Sequence, residues 1–150
     1  MIQETEDQPY LLLADDSEED ADLTARVLRG GKLIEHVVHF YDGAQLLDYV
    51  FSSSFRAHPL LLLLDLDMPK THGLEVLRKM KGDGDKKHIP VVVMSGCSDE
   101  GVIKQTYELG VNGFVRKHTQ FEKFKEEILH VGEFWLKTNY YPGFWNSRQV

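Results

Sequence analysis

Short, continuous apolar runs alternate along this chain with stretches in which apolar residues recur every three to four positions. Three of the runs, Tyr10–Ala14, Leu60–Leu64 and Val91–Met94, contain no charged residue. A run this short and this apolar is typical of a strand buried on both faces, as in a parallel sheet. Ile34–Phe40 and Gly113–Val115 are weaker strand candidates.

Helix signals separate these runs. Ser17 with Asp20 predicts a capping box at the start of the first helix, and Gly30-Gly31 predicts its end. Asp42 predicts the N-cap of a second helix. The remaining helices are predicted at Gly73–Lys81, from Ser98-Asp99-Glu100 to just before Gly110, and along a final apolar stripe of Phe121, Phe124, Ile128, Val131 and Trp135.

The resulting order, strand then helix repeated five times, predicts an α/β fold with a doubly wound parallel sheet and helices on both faces. At 150 residues the chain is expected to form one domain. In such sheets, the polar residues that matter lie at the carboxyl ends of the strands, near the topological switch point.

Polar side chains follow four of the predicted strands. They are Asp15-Asp16, Asp65, Ser95 and Arg116-Lys117. If the strands are parallel, these groups share one edge of the sheet. Clustered carboxylates repel one another unless a cation neutralises them, and Mg²⁺ prefers such oxygen ligands. A carboxylate can also act as a nucleophile and become an acyl phosphate, which indicates phosphoryl transfer.

Composition narrows the possible partners. The formal net charge is −7, so the chain lacks the basic surface expected of a nucleic-acid binder. The one cysteine, Cys97, excludes an internal disulfide, and no apolar run is long enough to span a membrane. The polar N-terminus does not resemble a signal peptide, so a cytoplasmic protein is expected.

Four segments carry a family resemblance. In order, "LLLADDSEED", "LLLLDLDMPKTHG", "VVVMSG" and "GFVRK" resemble the receiver domain of two-component response regulators. The resemblance covers residues 8–137 and leaves 138–150 as an aromatic C-terminal extension. It implies a flavodoxin-like (βα)₅ sheet with strand order 2-1-3-4-5.

The resemblance also implies a role for each site residue. Asp65 would accept a phosphoryl group from a histidine kinase or a phosphotransfer protein. Mg²⁺ would be bound by the carboxylates of Asp16 and Asp65, by the backbone carbonyl of Asp67, and through water by Asp15. Lys117 and Ser95 would contact phosphoryl oxygens.

A switch is implied by the same resemblance. Phe114 occupies the aromatic switch position, and it would turn inward as Ser95 moves toward the phosphoryl group. Gly96 would leave room for that group. The family usually has proline after the lysine, whereas this chain has His118. Because a cis peptide before a non-proline residue costs about 3–4 kcal/mol, a trans bond is expected there.

A narrower resemblance concerns the partner. "GDGDKKHIPVVVMS" and "EFWLKTNYYP" are similar to the single-domain regulators that partner bacterial phytochrome kinases. This implies a phytochrome-type histidine kinase as the partner. No residues remain for a DNA-binding output domain, so output through protein contacts or phosphate relay is expected.

The C-terminal fifth of the chain is rich in aromatic residues. Eight of the sixteen aromatics lie in the last thirty positions: Phe121, Phe124, Phe134, Trp135, Tyr140, Tyr141, Phe144 and Trp145. These exceed what one packed helix stripe needs, which favours an interface. A homodimer or kinase contact is predicted through the fourth and fifth helices, the strand between them and this C-terminus. The alternative is a segment that folds back over its own domain.

Other function classes stay open at the level of sequence. "DLD" at Asp65–Asp67 also resembles the nucleophile motif of haloacid-dehalogenase-type phosphatases, although that motif belongs to the first strand and has no Pro69. A flavodoxin-like FMN binder fits the architecture, but the acidic segment after the first strand would repel a phosphate. A receiver that dimerises independently of phosphorylation is a further alternative.

Overall fold

The computed structural model of the protein describes residues 8–96 and 99–140, and it contains one five-stranded parallel sheet. The strands lie in the order β2-β1-β3-β4-β5, which confirms the predicted topology. Their bounds are Tyr10–Ala14 for β1, His36–Phe40 for β2, Leu61–Asp65 for β3, Val91–Ser95 for β4 and Gly113–Arg116 for β5.

Each strand is followed by a helix. The helices are α1 (Glu18–Gly30), α2 (Gly43–Val50), α3 (Gly73–Gly82), α4 (Glu100–Glu108) and α5 (Phe121–Gly132). A 3₁₀ turn, Lys86–His88, precedes β4, and a π-helical segment, Glu133–Thr138, continues α5.

The core lies on both faces of the sheet because successive side chains of a strand point to opposite sides. On one face, Leu62 and Leu64 pack with residues of α2 and α3, and Val102 and Leu109 of the α4 region pack against the same cluster. On the other face, Leu61 and Leu63 belong to the cluster formed with α1 and α5. The central strand β3 is therefore covered from both sides, and each buried leucine contributes about 2 kcal/mol.

The predicted helix starts are largely confirmed. Asp42 caps α2 by accepting a hydrogen bond from the Gln45 backbone N–H at 2.8 Å, and Asp99 caps α4. Gly110 follows α4 with φ +98°, a conformation that favours glycine. These residues therefore define the starts of α2 and α4 and the end of α4, and with them the loops that join these helices to the strands.

The capping box of α1 is only half formed. The Ser17 hydroxyl accepts from the Asp20 backbone N–H at 3.2 Å, as predicted. The reciprocal bond is absent in this part of the structure, because the Ser17 N–H donates to Asp15 Oδ1 at 2.9 Å instead. The Asp20 carboxylate is therefore available for another partner.

One expectation for the helices is wrong. Phe124, Ile128 and Val131 are buried as predicted, but Phe121 is 50% exposed at the first position of α5. The predicted end of α1 is confirmed, because the helix ends at Gly30 and Gly31 is its C-cap. The left-handed residue beyond it is Lys32, with φ 56°, whereas Gly31 has an ordinary φ of −80°. Glycine is therefore not required there for a left-handed conformation.

Some predicted features lie outside the described residues: Cys97, Ser98, Tyr141, Phe144 and Trp145. Within the part that is described, no helix is long and apolar enough to cross a membrane.

Candidate functional site

Three carboxylates meet at the carboxyl edge of the sheet. Asp15 and Asp16 follow β1, and Asp65 ends the neighbouring strand β3. One oxygen from each lies within 4.8 Å of the others, with Asp15 and Asp65 buried and Asp16 exposed. The three carboxylates predicted at the strand ends therefore lie close together.

Lys117 supplies positive charge to this cluster from the residue after β5. Its Nζ lies 2.7 Å from Asp15 Oδ2 and 3.7 Å from Asp65 Oδ2. It also lies 3.0 Å from Asp20 Oδ2. Burial lowers the pKa of Lys117, but the hydrogen bond to Asp15 and the nearby carboxylate charges outweigh that effect, so the pKa is raised overall.

Asp65 is held in an unfavourable electrostatic environment. Its pKa is raised to about 7, mainly by burial and also by the charges of Asp15 and Asp16. Lys117 and a hydrogen bond from the Asp67 N–H oppose this rise. One ammonium therefore does not balance the carboxylates around it. An oxygen-lined pocket with excess negative charge fits a divalent cation such as Mg²⁺.

The loop after β3 is tightly packed against Asp65. The Asp67 N–H donates to Asp65 Oδ1 at 3.1 Å, while the Asp67 side chain is 72% exposed and directed to solvent. The Gly73 N–H donates to the Leu66 carbonyl at 3.0 Å. A Cβ on Gly73 would lie 2.7 Å from the Asp65 carbonyl, so only glycine allows α3 to begin this close to the site.

Ser95 and Phe114 lie on β4 and β5, the two strands that follow β3 in the sheet. Ser95 ends β4 and is fully buried, and its carbonyl accepts from the Lys117 N–H at 2.9 Å. Phe114 on β5 is half-buried and packs against the core cluster shared with α2 and α3. A Cβ built on Gly96 would meet nothing within 4 Å, so the space next to Ser95 is open.

The loop after Lys117 follows the expectation drawn from His118. All peptide bonds of the described residues are trans, including the one between Lys117 and His118. His118 Nε2 lies 3.5 Å from Glu127 Oε1, which ties the loop to α5.

Sequence reasoning missed two residues that reach the site. Asp20 was assigned to helix capping, yet its carboxylate pairs with Lys117. His39 was treated as structural or surface, but its Nε2 lies 2.8 Å from the Asp15 carbonyl oxygen. The second contact could have been suspected from the pairing of β1 with β2, which places His39 beside Leu13.

Comparison with known proteins identifies the family. The family model for the response regulator receiver domain matches residues 11–129, most of the chain. The chain belongs to the response regulator receiver domain family. Phosphorylation by a kinase is the standard function of such receivers.

Several receivers are similar over nearly their full length. Response regulator Rcp1 of Synechocystis sp. is 32% identical over 143 residues, covering 92% of this chain and 96% of its own. The probable methanogenesis regulatory protein FilR2 of Methanothrix harundinacea is 31% identical over 144 residues, covering 95% and 93% respectively.

Solved receiver structures support the same assignment. The Mn(2+)-bound form of Rcp1 has a TM-score of 0.83 at 31% identity, covering 89% of this chain and 99% of that one. The phosphorylated cyanobacterial phytochrome response regulator RcpA has a TM-score of 0.83 at 33% identity, covering 90% and 99%. These matches favour the receiver hypothesis over the phosphatase and flavodoxin-like alternatives.

Proposed function

We propose that this receiver carries its phosphoryl group on Asp65. Asp65 is the carboxylate that the central strand delivers into the pocket, where it meets Asp15, Asp16 and Lys117. This convergence is the observation that carries the proposal. The donor is a histidine kinase or phosphotransfer protein, and the reaction takes place in the cytoplasm.

The transfer is a displacement at phosphorus. An ionised oxygen of Asp65 attacks, a new O–P bond forms, and the N–P bond to the donor histidine breaks as its imidazole leaves and takes up a proton. Hydrolysis of the resulting acyl phosphate by water returns Asp65 to its free form. The receiver thereby supports both its own phosphorylation and its dephosphorylation.

Charge around the transferring group comes from the chain and from Mg²⁺. The ion would be held by the carboxylates of Asp16 and Asp65, by the Asp67 carbonyl, and by Asp15 through water. It would neutralise charge on the phosphoryl oxygens when bound. Lys117 donates to a phosphoryl oxygen from the β5 side of the pocket.

The output is a change of surface. In the proposed switch, the Ser95 hydroxyl moves to a phosphoryl oxygen, and Phe114 turns into the space this opens. The half-buried position of Phe114 supports such a movement, because the ring is already partly inserted in the core. Phosphorylation would shift a pre-existing equilibrium between two arrangements of the α4–β5–α5 face.

The partner is proposed to be a histidine kinase of the phytochrome type. The support is the similarity to RcpA, a phytochrome response regulator, together with the chain's resemblance to that group at both quoted motifs. FilR2, which is named for methanogenesis, is almost as similar, so a kinase with a different input domain is the alternative.

Beryllofluoride, a phosphoryl mimic, tests the site directly. Wild-type protein in Mg²⁺ is expected to bind beryllofluoride and to be modified by acetyl phosphate, whereas Asp65→Asn should do neither. Asp48→Asn, which removes the same charge from an exposed position of α2, is the matched control and should behave as wild type. An equal response from Asp65→Asn would show that the phosphoacceptor lies elsewhere.

A homodimer through the α4–β5–α5 face and the aromatic C-terminus completes the proposal. Exposed aromatic side chains support it on the described part of this surface: Tyr107, Phe121, Phe134 and Tyr140. Tyr141, Phe144 and Trp145 belong to the same predicted interface but lie outside the described residues.

A further inference from the structure

Lys117 is shared among more carboxylates than a phosphoacceptor site needs. Its ammonium lies within hydrogen-bond distance of Asp15 Oδ2 and Asp20 Oδ2, but 3.7 Å from Asp65 Oδ2. The group that would receive the phosphoryl group is therefore the most distant of the three acids. Two of the three ammonium protons are already directed at other carboxylates.

Asp20 reaches Lys117 because its local role in the helix is filled by another residue. A complete capping box would direct the Asp20 carboxylate to the Ser17 backbone N–H. That N–H is bonded to Asp15 Oδ1 instead, so the Asp20 side chain extends from the first turn of α1 to Lys117. The contact joins residues 97 positions apart in the chain.

We infer that Asp20 is a positioning residue that holds the Lys117 ammonium in the resting site and weakens its interaction with a phosphoryl group on Asp65. This inference rests on the proposed function, because it assigns a consequence to phosphorylation at Asp65. It concerns a residue outside the set of Asp15, Asp16, Asp65 and Lys117.

Charge balance gives the direction of the effect. With Asp20 included, four carboxylates face one ammonium, and a phosphoryl group or its mimic adds further negative charge. Asp20 thus repels the incoming anion and occupies one of the protons that Lys117 could donate to it. Removing the Asp20 charge should strengthen anion binding, even though Asp20 does not touch the anion in this scheme.

The size of the effect follows from exposure. The Asp20 side chain is 44% exposed, and ion pairs with this much solvent contact are weak. Beryllofluoride is therefore expected to bind Asp20→Asn about two- to fivefold more tightly than wild type at saturating Mg²⁺. Saturating Mg²⁺ is needed so that any change in metal affinity does not enter the comparison.

The experiment is a ¹⁹F NMR titration of the full chain with beryllofluoride. Asp20→Asn and Asp20→Ser are compared with Glu19→Gln, which removes one charge from the adjacent, exposed position of the same helical turn. Loss of an acid near a helix N-terminus lowers the melting temperature slightly in all three variants. If Asp20 acted only by stabilising the helix end, the three variants would show similar changes in melting temperature and no change in beryllofluoride affinity. Tighter beryllofluoride binding is expected only in the Asp20 variants.

Two results would overturn the inference. One is unchanged or weaker beryllofluoride binding in both Asp20 variants while wild type binds it normally. The other is an equal gain in Glu19→Gln, which would show a general charge effect rather than one acting through Lys117. If wild type itself failed to bind beryllofluoride, the proposed phosphorylation of Asp65 would be refuted. That result differs from either of the two that would refute only the role of Asp20.

Discussion

His39 links the edge strand β2 to the acidic turn after β1. Its Nε2 lies 2.8 Å from the Asp15 carbonyl oxygen. Because a carbonyl can only accept, Nε2 must carry the proton in this contact. The Asp15 N–H also donates to the Phe40 carbonyl at 3.0 Å. The backbone of Asp15 is thus held from both its donor and its acceptor side by β2.

This contact predicts an effect on metal binding. His39→Leu should weaken Mg²⁺ binding by about two- to tenfold, the range expected for loss of one hydrogen bond that orients the acidic turn. Isothermal titration calorimetry measures the change. His36→Leu removes an imidazole from the start of the same strand, at the opposite end from the site, and should leave the affinity unchanged. Equal weakening in both variants would refute a specific role for His39.

The raised pKa of Asp65 predicts a pH dependence. Its folded-state pKa of about 7 exceeds the ordinary value of 3.8, so the unfolded chain releases this proton first as pH rises. Asp65 therefore contributes less to the stability of the metal-free protein as pH increases from about 4 to 7. Mg²⁺ requires the ionised carboxylate, so it should bind about tenfold more tightly at pH 8 than at pH 6.

Calorimetric titrations of Mg²⁺ at the two pH values test this linkage. Asp65→Asn removes the titrating group and should lose most of the pH dependence along with much of the affinity. A wild-type affinity that is flat between pH 6 and 8 would contradict the assignment of the raised pKa to Asp65.

At the scale of secondary-structure elements, Lys81 connects the end of α3 to neighbouring segments by hydrogen bonds. Its Nζ donates to the carbonyls of Lys87 and Ile89, and to Asn112 Oδ1, at 2.9 to 3.0 Å. Burial lowers the pKa of Lys81 to about 8, but only the protonated ammonium can donate all three bonds. One side chain thus joins α3, the segment before β4 and the residue before β5.

Lys81→Met should therefore lower the free energy of unfolding by about 1 to 2 kcal/mol, because three oxygen acceptors, one of them the carbonyl of the buried Ile89, lose a shared donor. Urea denaturation measures the change. Lys79→Met is the matched control, since Lys79 is exposed on the same helix and should change stability by less than about 0.5 kcal/mol. If Lys81→Met lowered the free energy of unfolding no more than Lys79→Met, the hydrogen bonds of Lys81 would not have the proposed stabilising role.

The elements that sequence predicted best are those buried on both faces. β1 matches its predicted run. β3 lies one residue later than predicted and ends at Asp65, and β4 is one residue longer and ends at Ser95. The edge strand β2 begins at His36 rather than Ile34, because a half-exposed strand has no continuous apolar signal to mark its start. Phe121 was wrongly predicted to be buried, because helical periodicity does not show whether the first residue of a helix still reaches the sheet.

The site could be predicted only as far as strand ends define it. The rule that parallel strands present their carboxyl ends together identified Asp15, Asp16, Asp65, Ser95 and Lys117. The contact of Asp20 with Lys117 was not predicted, because a capping box already accounted for an acid at this position. Nothing in the sequence shows that the Ser17 N–H donates to Asp15 instead. His39 contacts the backbone carbonyl of Asp15, and every residue has such a carbonyl, so the sequence does not indicate this contact.

At the scale of the whole molecule, the α4 and β5 parts of the α4–β5–α5 face have few buried positions. Thr106 is the one fully buried residue within α4, and β5 is an edge strand without a fully buried position. Tyr107 is 54% exposed on α4, and Phe121 is likewise exposed at the start of α5. A surface with few buried anchors and exposed aromatics suits both a conformational switch and a contact with a second copy.

We therefore expect the chain to form a dimer whose population rises with beryllofluoride and Mg²⁺. Size-exclusion chromatography with light scattering, with and without beryllofluoride, measures it. Tyr107→Ser should weaken the dimer, because burial of an aromatic anchor is lost. Tyr41→Ser removes another exposed tyrosine, 44% exposed just beyond β2 at the opposite edge of the sheet, and should leave the dimer intact.

The possible outcomes separate the alternatives for this surface. A dimer of equal strength in both conditions would support a receiver that dimerises independently of phosphorylation. A monomer in both conditions would refute the homodimer and leave the exposed aromatics for a kinase. Equal weakening by Tyr107→Ser and Tyr41→Ser would show that the contact is not confined to the α4–β5–α5 face. Because Asp65→Asn should remove only the beryllofluoride response, it separates a defect of the site from a defect of the interface.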